Sequence, residues 1–218
     1  MDITWFGHSC FRLRDRDATV ITDPFDKTLG YGLPRVRADI VTVSHDHPHH
    51  NFVAAAKGDF KVVNSPGEYE IKSVFISGIA TYPLKHRRRE EESESSNDGR
   101  NVIFVFEFDG LTICHLGDLA QVPTQTQVEA LSDVDVLTVP VGGGTSLNAT
   151  QAAEIISLIE PYIVIPMHYK TSTISLKLDK VDKFLKEMGA PRIEPIDVLK
   201  VTKSSLPPET QVVVLNHK

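Results

Sequence analysis

Four of the chain's nine histidines fall within six residues, His45-Asp46-His47-Pro48-His49-His50. Two other short segments carry side chains of the same kind, His115-Leu116-Gly117-Asp118 and Pro166-Met167-His168. Neutral imidazole and carboxylate are donors that suit zinc, and also iron or manganese. Each segment follows a run of apolar or β-branched residues that reads as a buried strand. Polar groups gathered at the ends of buried strands are costly to hold together unless something compensates them, and a bound cation does so.

The elements that must position these residues follow from hydrophobic spacing. Residues 3–6, 10–13 and 19–22 are brief alternating or apolar runs separated by turn residues, and 39–44 (DIVTVS) is β-branched, so four strands are predicted before the histidine cluster. A short helix is expected over 51–57. Strands follow at 61–64, 74–79, 101–108 and 111–115, with Asp109-Gly110 as the turn of a hairpin. The second half alternates strand and helix. Ala152, Ile155, Ile156 and Ile159 mark one helical face, with Asn148 as N-cap and Pro161 just past the end. Val181, Phe184, Leu185 and Met188 repeat that spacing, and Gly189 ends it. Strands at 134–141, 162–166, 198–201 and 211–215 complete the pattern. One α/β sandwich domain over 1–218 is expected. The polar, charge-dense stretch 85–99 is expected to be a mobile loop joining two strands.

Composition narrows the classes. The chain has 218 residues, 41% hydrophobic and 24% charged, and a net charge of −6, so it is long enough for a core without staples and too acidic to favour a nucleic-acid partner held by bulk charge. Cys10 and Cys114 cannot form a disulfide framework, which points to a reducing, cytoplasmic setting. No secretory signal is expected from the N-terminal residues, and no apolar stretch of the ~18 residues that a membrane span needs is present. The expected partner is a small-molecule substrate, with homo-oligomer formation left open.

His45-x-His47-x-x-His50 with Asp118 and His168 resembles the metallo-β-lactamase-fold hydrolases. Trp5-Phe6-Gly7-His8-Ser9 and Thr22-Asp23-Pro24 are similar to the branch that includes ascorbate-6-phosphate lactonase and N-acyl phosphatidylethanolamine phospholipase D. Pro66-Gly67-Glu68-Tyr69-Glu70-Ile71, His115-Leu116-Gly117-Asp118-Leu119 and Pro166-Met167-His168-Tyr169-Lys170-Thr171 resemble a bacterial subgroup of metal-dependent hydrolases. The resemblance implies a four-layer αββα sandwich whose site lies at one edge of two packed sheets. It implies one or two ions, Zn2+ or alternatively Mn2+ or Fe2+, that activate water. His45 and His47 match ligands of a first ion, His50 and His168 match ligands of a second, and Asp118 matches the bridge, with Asp118 and His50 at the centre of catalysis. His8, Asp23 and His115 fit roles behind the ligands, and Lys170 is a candidate for an anionic substrate group.

Three places depart from that pattern. The family motif has aspartate where this chain has His49, and a further family histidine falls on Pro83 here, leaving His86 as a candidate replacement. Ala120-Gln121 occupies a place where the subgroup carries Gly-His. Exchanging a carboxylate for an imidazole removes negative charge that would offset two cations. Two outcomes stay open. His49 joins His50, His168 and Asp118 in a four-ligand site, with His45 and His47 as a weak second one, or the site holds one ion loosely or none. The corresponding functions are a hydrolase of an ester, lactone or phosphodiester, and a catalytically impaired relative acting as a binding protein.

Overall fold

The computed structural model describes residues 1–83, 99–131 and 133–218. The strands are β1 (Asp2–Gly7), β2 (Cys10–Arg14), β3 (Thr19–Thr22), β4 (Val36–Arg37), β5 (Ile40–Thr42), β6 (Ala56–Lys57), β7 (Lys61–Val63), β8 (Gly67–Ile71), β9 (Val74–Thr81), β10 (Asn101–Phe108), β11 (Leu111–His115), β12 (Val136–Pro140), β13 (Ile163–Met167), β14 (Leu199–Lys200) and β15 (Gln211–Val212). The helices are α1 (Gln125–Glu129), α2 (Ala149–Ile159) and α3 (Val181–Glu187).

One sheet has the order β14-β1-β2-β3-β5-β7 and the other β15-β13-β12-β11-β10-β9-β8. Strand alternation explains how they pack. Ile3, Trp5, Phe11, Leu13, Val20 and Ile40 turn one way into a core shared with Ile76, Phe104 and Ile113 of the second sheet. Their neighbours Phe6, Cys10, Ile21 and Val41 turn the other way, under Phe25, Leu29, Tyr31 and Ile174. The chain is therefore an α/β sandwich built on two sheets. Helix α2 is the crossover between the parallel neighbours β12 and β13, so it lies over the second sheet. Its buried residues Ala152, Ile155 and Ile156 sit on the spacing expected, and Asn148 caps it in a reciprocal pair with Gln151.

The hairpin at Asp109-Gly110 also forms, both residues taking positive φ between β10 and β11. The helix expected over 51–57 does not. That segment holds only a 3-10 turn (Val53–Ala55) followed by β6, which pairs with β4. Phe52, which precedes the turn, offers no side-chain cap, and the short segment is held instead by tertiary pairing, which overrides a weak local preference. The stretch 85–99 lies outside the described residues except for Gly99.

Directionality places the site. Strands β3, β5 and β7 run parallel in the first sheet, and β11, β12, β13 and β15 run parallel in the second. In open α/β sheets, ligands bind beyond the carboxyl ends of such strands. Here β1, β3, β5, β11 and β13 end one to three residues before His8, Asp23, the histidine cluster, Asp118 and His168.

Gly142, just after β12, passes so close to His168 that a Cβ would collide with the His168 carbonyl oxygen and lie 2.9 Å from Tyr169 Cα. Both are backbone atoms, which cannot swing aside. Gly142→Ala is expected to lower stability by about 1–3 kcal/mol, the usual cost of overpacking, measurable by urea unfolding.

Candidate metal centre

The site is built outward from Asp23. This carboxylate is fully buried. Its Oδ1 accepts the Ser44 backbone N–H at 2.7 Å, and its Oδ2 accepts the Ser44 hydroxyl at 2.7 Å and His50 Nδ1 at 2.9 Å. His115 Nε2 lies 3.3 Å from Oδ2, and the other ring nitrogen of His115 contacts Thr138 Oγ1 at 2.8 Å. Burial alone would raise the Asp23 pKa, but the hydrogen bonds from His115 and His50 hold it well below the usual carboxylate range. With Nδ1 committed to Asp23, His50 has only its other nitrogen for the cleft. Burial works against protonation of His50, yet its bond to Asp23 and the charges of Asp23 and Asp118 carry its pKa above the ordinary value.

Around His50 stand two groups of donors, each with one ligand atom per residue and all within 4.8 Å of one another: His45, His50 and Asp118, and His8, His50 and His168. Asp118 is held in place by its neighbours. Its backbone N–H donates to Asn101 Oδ1 at 2.9 Å, and its Oδ2 accepts from Thr145 Oγ1 at 3.0 Å. Its Oδ1 is buried with no hydrogen-bond partner among the described residues, and lies 3.3 Å from His168 Nε2. His168 contacts Ser146 Oγ through Nδ1 at 3.1 Å, and His45 Nδ1 lies 3.1 Å from Ser44 Oγ.

Burial works against protonation of most of these imidazoles and nearby imidazoles add to it, while Asp118 pulls the other way at His45 and His168. The balance pushes His45 down to about 4, and lowers His168 and His8 as well. Neutral imidazole is the form that binds a cation. Three residues at the site also hold left-handed backbone, His8 (φ +52°), Asp23 (φ +39°) and His168 (φ +53°). Such conformations cost about 1–3 kcal/mol each and persist where the surroundings over-determine them. The donors, an orphaned carboxylate oxygen among them, fit a divalent cation: the set is imidazole plus carboxylate, with ligand atoms near one another and their far sides fixed by hydrogen bonds.

Several candidates fall elsewhere. His47 is exposed on the rim, its ring 5.9 Å from that of His45, and its Nδ1 accepts the His49 N–H at 3.2 Å. His49 belongs to neither group. It sits on the same turn at the cleft wall, with its Nε2 3.4 Å from Thr28 Oγ1. Lys170 does not line the cleft, because its ammonium donates to the Ile174 carbonyl within its own loop. His86 lies outside the described residues. Gln121 donates to the Tyr82 carbonyl at 2.9 Å, and Pro83 lines the cleft edge. His8, expected behind the ligands, has a ring nitrogen within 4.8 Å of ligand atoms of His50 and His168. Ser44, Asn101, Thr145 and Ser146 also hold the site. The cleft encloses about 820 Å³, and Arg100 and Lys177 are its cationic side chains among the described residues.

A model described as a beta-lactamase superfamily domain matches residues 2–168. A UPF0173 metal-dependent hydrolase of Methanoculleus marisnigri is 30% identical over 187 residues, covering 78% of this chain and 82% of the relative. A UPF0173 protein of Pyrococcus furiosus is 29% identical over 209 residues, covering 88% and 93%. Among solved structures, a Thermotoga maritima protein assigned as a Zn-dependent hydrolase of the metallo-beta-lactamase superfamily shares 40% identity. It aligns over 98% of this chain and 97% of its own, with a TM-score of 0.79.

Removing the Asp23 carboxylate would leave His50 and Ser44 unpaired in the interior. Asp23→Ala is expected to cost about 3–5 kcal/mol of stability, the range for breaking a buried charged pair, in urea unfolding of chelator-treated protein.

Proposed function

The chain belongs to the beta-lactamase superfamily, and on that premise we propose that it is a metal-dependent hydrolase of a small anionic ester. The substrate class is a phosphodiester, or a lactone or carboxylic ester that carries an acidic group. The observation that carries this reading is the overlap of two donor groups at His50 within an open cleft, with Asp118 in one group and facing His168 of the other. His45, His50, Asp118 and His168 would hold one or two divalent ions, zinc being suited to this donor set and manganese or iron also compatible. His47 would assist from the rim. When bound, such an ion supplies Lewis acidity and makes water nucleophilic near neutral pH.

The chain's own residues do the positioning. Asp23 fixes the ring of His50 from behind, and Ser146 does the same for His168. Thr145 and Asn101 set the direction of Asp118. A cleft of about 820 Å³ falls within the ~300–1,000 Å³ usual for small-molecule sites. Arg100, whose guanidinium donates to the Asn64 carbonyl at 3.1 Å, and Lys177 give it two positive groups suited to an anionic substrate.

The test is a panel of bis(p-nitrophenyl) phosphate, lactones and p-nitrophenyl esters, with bound metal quantified in parallel. Turnover is expected to vanish with chelator and return with zinc or manganese. Asp118→Ala is expected to lower kcat/KM by at least ~100-fold, because even residues behind metal ligands cost about 10–100-fold. Bound metal without turnover of any substrate would instead favour a binding protein, a reading motivated by the placement of His47 and His49 outside both donor groups. Absence of both metal and turnover would overturn both.

Arg100→Ala and Lys177→Ala are each expected to raise KM for an anionic substrate by about 2–5-fold, what an exposed ion pair of up to ~1 kcal/mol is worth. KM for a neutral ester should not move.

A further inference from the structure

The structure assigns to His8, on the β1–β2 turn, the role of a direct metal ligand alongside His50, His168 and Asp118, with His49 taking no part. This rests on the reading of the cleft as a metal site. Three observations carry it. A ring nitrogen of His8 lies within 4.8 Å of those of His50 and His168, and its ring centroid is 4.0 Å from that of His168 and 4.9 Å from that of His50. His8 is 2% exposed, and its Nδ1 has no hydrogen-bond partner among the described residues. A buried polar atom left unpaired costs about 1–3 kcal/mol, so a structural histidine here would be a poor choice. Finally, the turn is tied to the rest of the donor group. The His8 carbonyl accepts both the Trp5 indole N–H at 3.0 Å and the His168 backbone N–H at 3.1 Å.

The backbone around His8 is built for this placement. Gly7 has φ +109°, and a Cβ there would lie 2.8 Å from the Tyr31 ring. Tyr31 thus closes over the turn, and His8 takes left-handed backbone (φ +52°) with its ring beside those of His50 and His168. His49 shows the opposite pattern. It is only half-buried, its ring nitrogen faces Thr28 Oγ1, and it is absent from both donor groups. Imidazole and carboxylate are both donors that zinc takes.

The test compares zinc content after dialysis against buffered zinc in wild type, His8→Asn, His49→Asn and Asp118→Ala. Asparagine is chosen for His8 because it tolerates left-handed backbone. His8→Asn and Asp118→Ala are expected to weaken zinc binding at least 10-fold, and His49→Asn to leave it unchanged. The d–d absorption of the cobalt-substituted protein should change with His8→Asn and not with His49→Asn. In wild type, which needs no variant to fold, zinc should shift the ring nitrogens of His8, His50 and His168 in 1H–15N spectra and leave those of His49 in place. Zinc binding by His8→Asn equal to wild type, or a shift at His49 and none at His8, overturns the assignment. If Asp118→Ala also binds zinc as wild type does, the metal-site reading itself fails.

Discussion

A carboxylate with no exposure to water has to be satisfied by protein groups alone, and at Asp23 these come from the ends of different strands. Ser44 and His50 follow β5, and His115 ends β11 in the opposite sheet. Asp23 therefore couples the two sheets at the edge where the cleft opens. It also fixes which nitrogen of His50 is free, and His50 is the residue shared by both donor groups. A change at this hub would reach every part of the site at once, because the same bonds that pair the buried charge also aim the imidazole.

The second constraint is crowding. Rings of His8, His45 and His168 surround His50 at centroid distances of 4.9, 4.2 and 6.0 Å, and three site residues occupy left-handed backbone. Imidazoles gathered this closely disfavour one another's protonation, and burial adds to that effect. The arrangement thus gathers imidazole nitrogens and a carboxylate oxygen that is unpartnered among the described residues. The fold supplies the restraint from elsewhere: Gly142 passes beneath His168, Tyr31 closes over Gly7, and Asn101 holds the loop of Asp118. Polar groups left unpaired inside a protein are expensive, and cation binding is the chemistry that makes such an expense useful.

Much of this was legible in the sequence. Buried strands announced themselves through β-branched runs, α2 through its apolar spacing and Asn148 cap, and the β10–β11 hairpin through Asp109-Gly110. The clustering of His45, His47 and His50, with Asp118 and His168 at later strand ends, marked the edge where they meet. What spacing does not carry is the direction of a side chain on a tight turn. His49 sits between His47 and His50 in the chain, yet the turn points its ring toward Thr28. His8 lies 37 residues before His45, and only the pairing of β1 with β2, together with Gly7, brings it into the group. Ser146 and Asn101 have ordinary sequence surroundings, and their roles emerge only from tertiary contact.

On the proposed reading, a cation is held where His50, His168 and Asp118 converge, with Asp23 behind. Anomalous diffraction at the zinc absorption edge, from crystals grown with zinc, tests it most directly. The expected result is a peak bonded to His50, His168 and Asp118, with His50 still hydrogen-bonded to Asp23 through Nδ1. A peak confined to His47 and His49 on the rim, or none in the cleft, would contradict it.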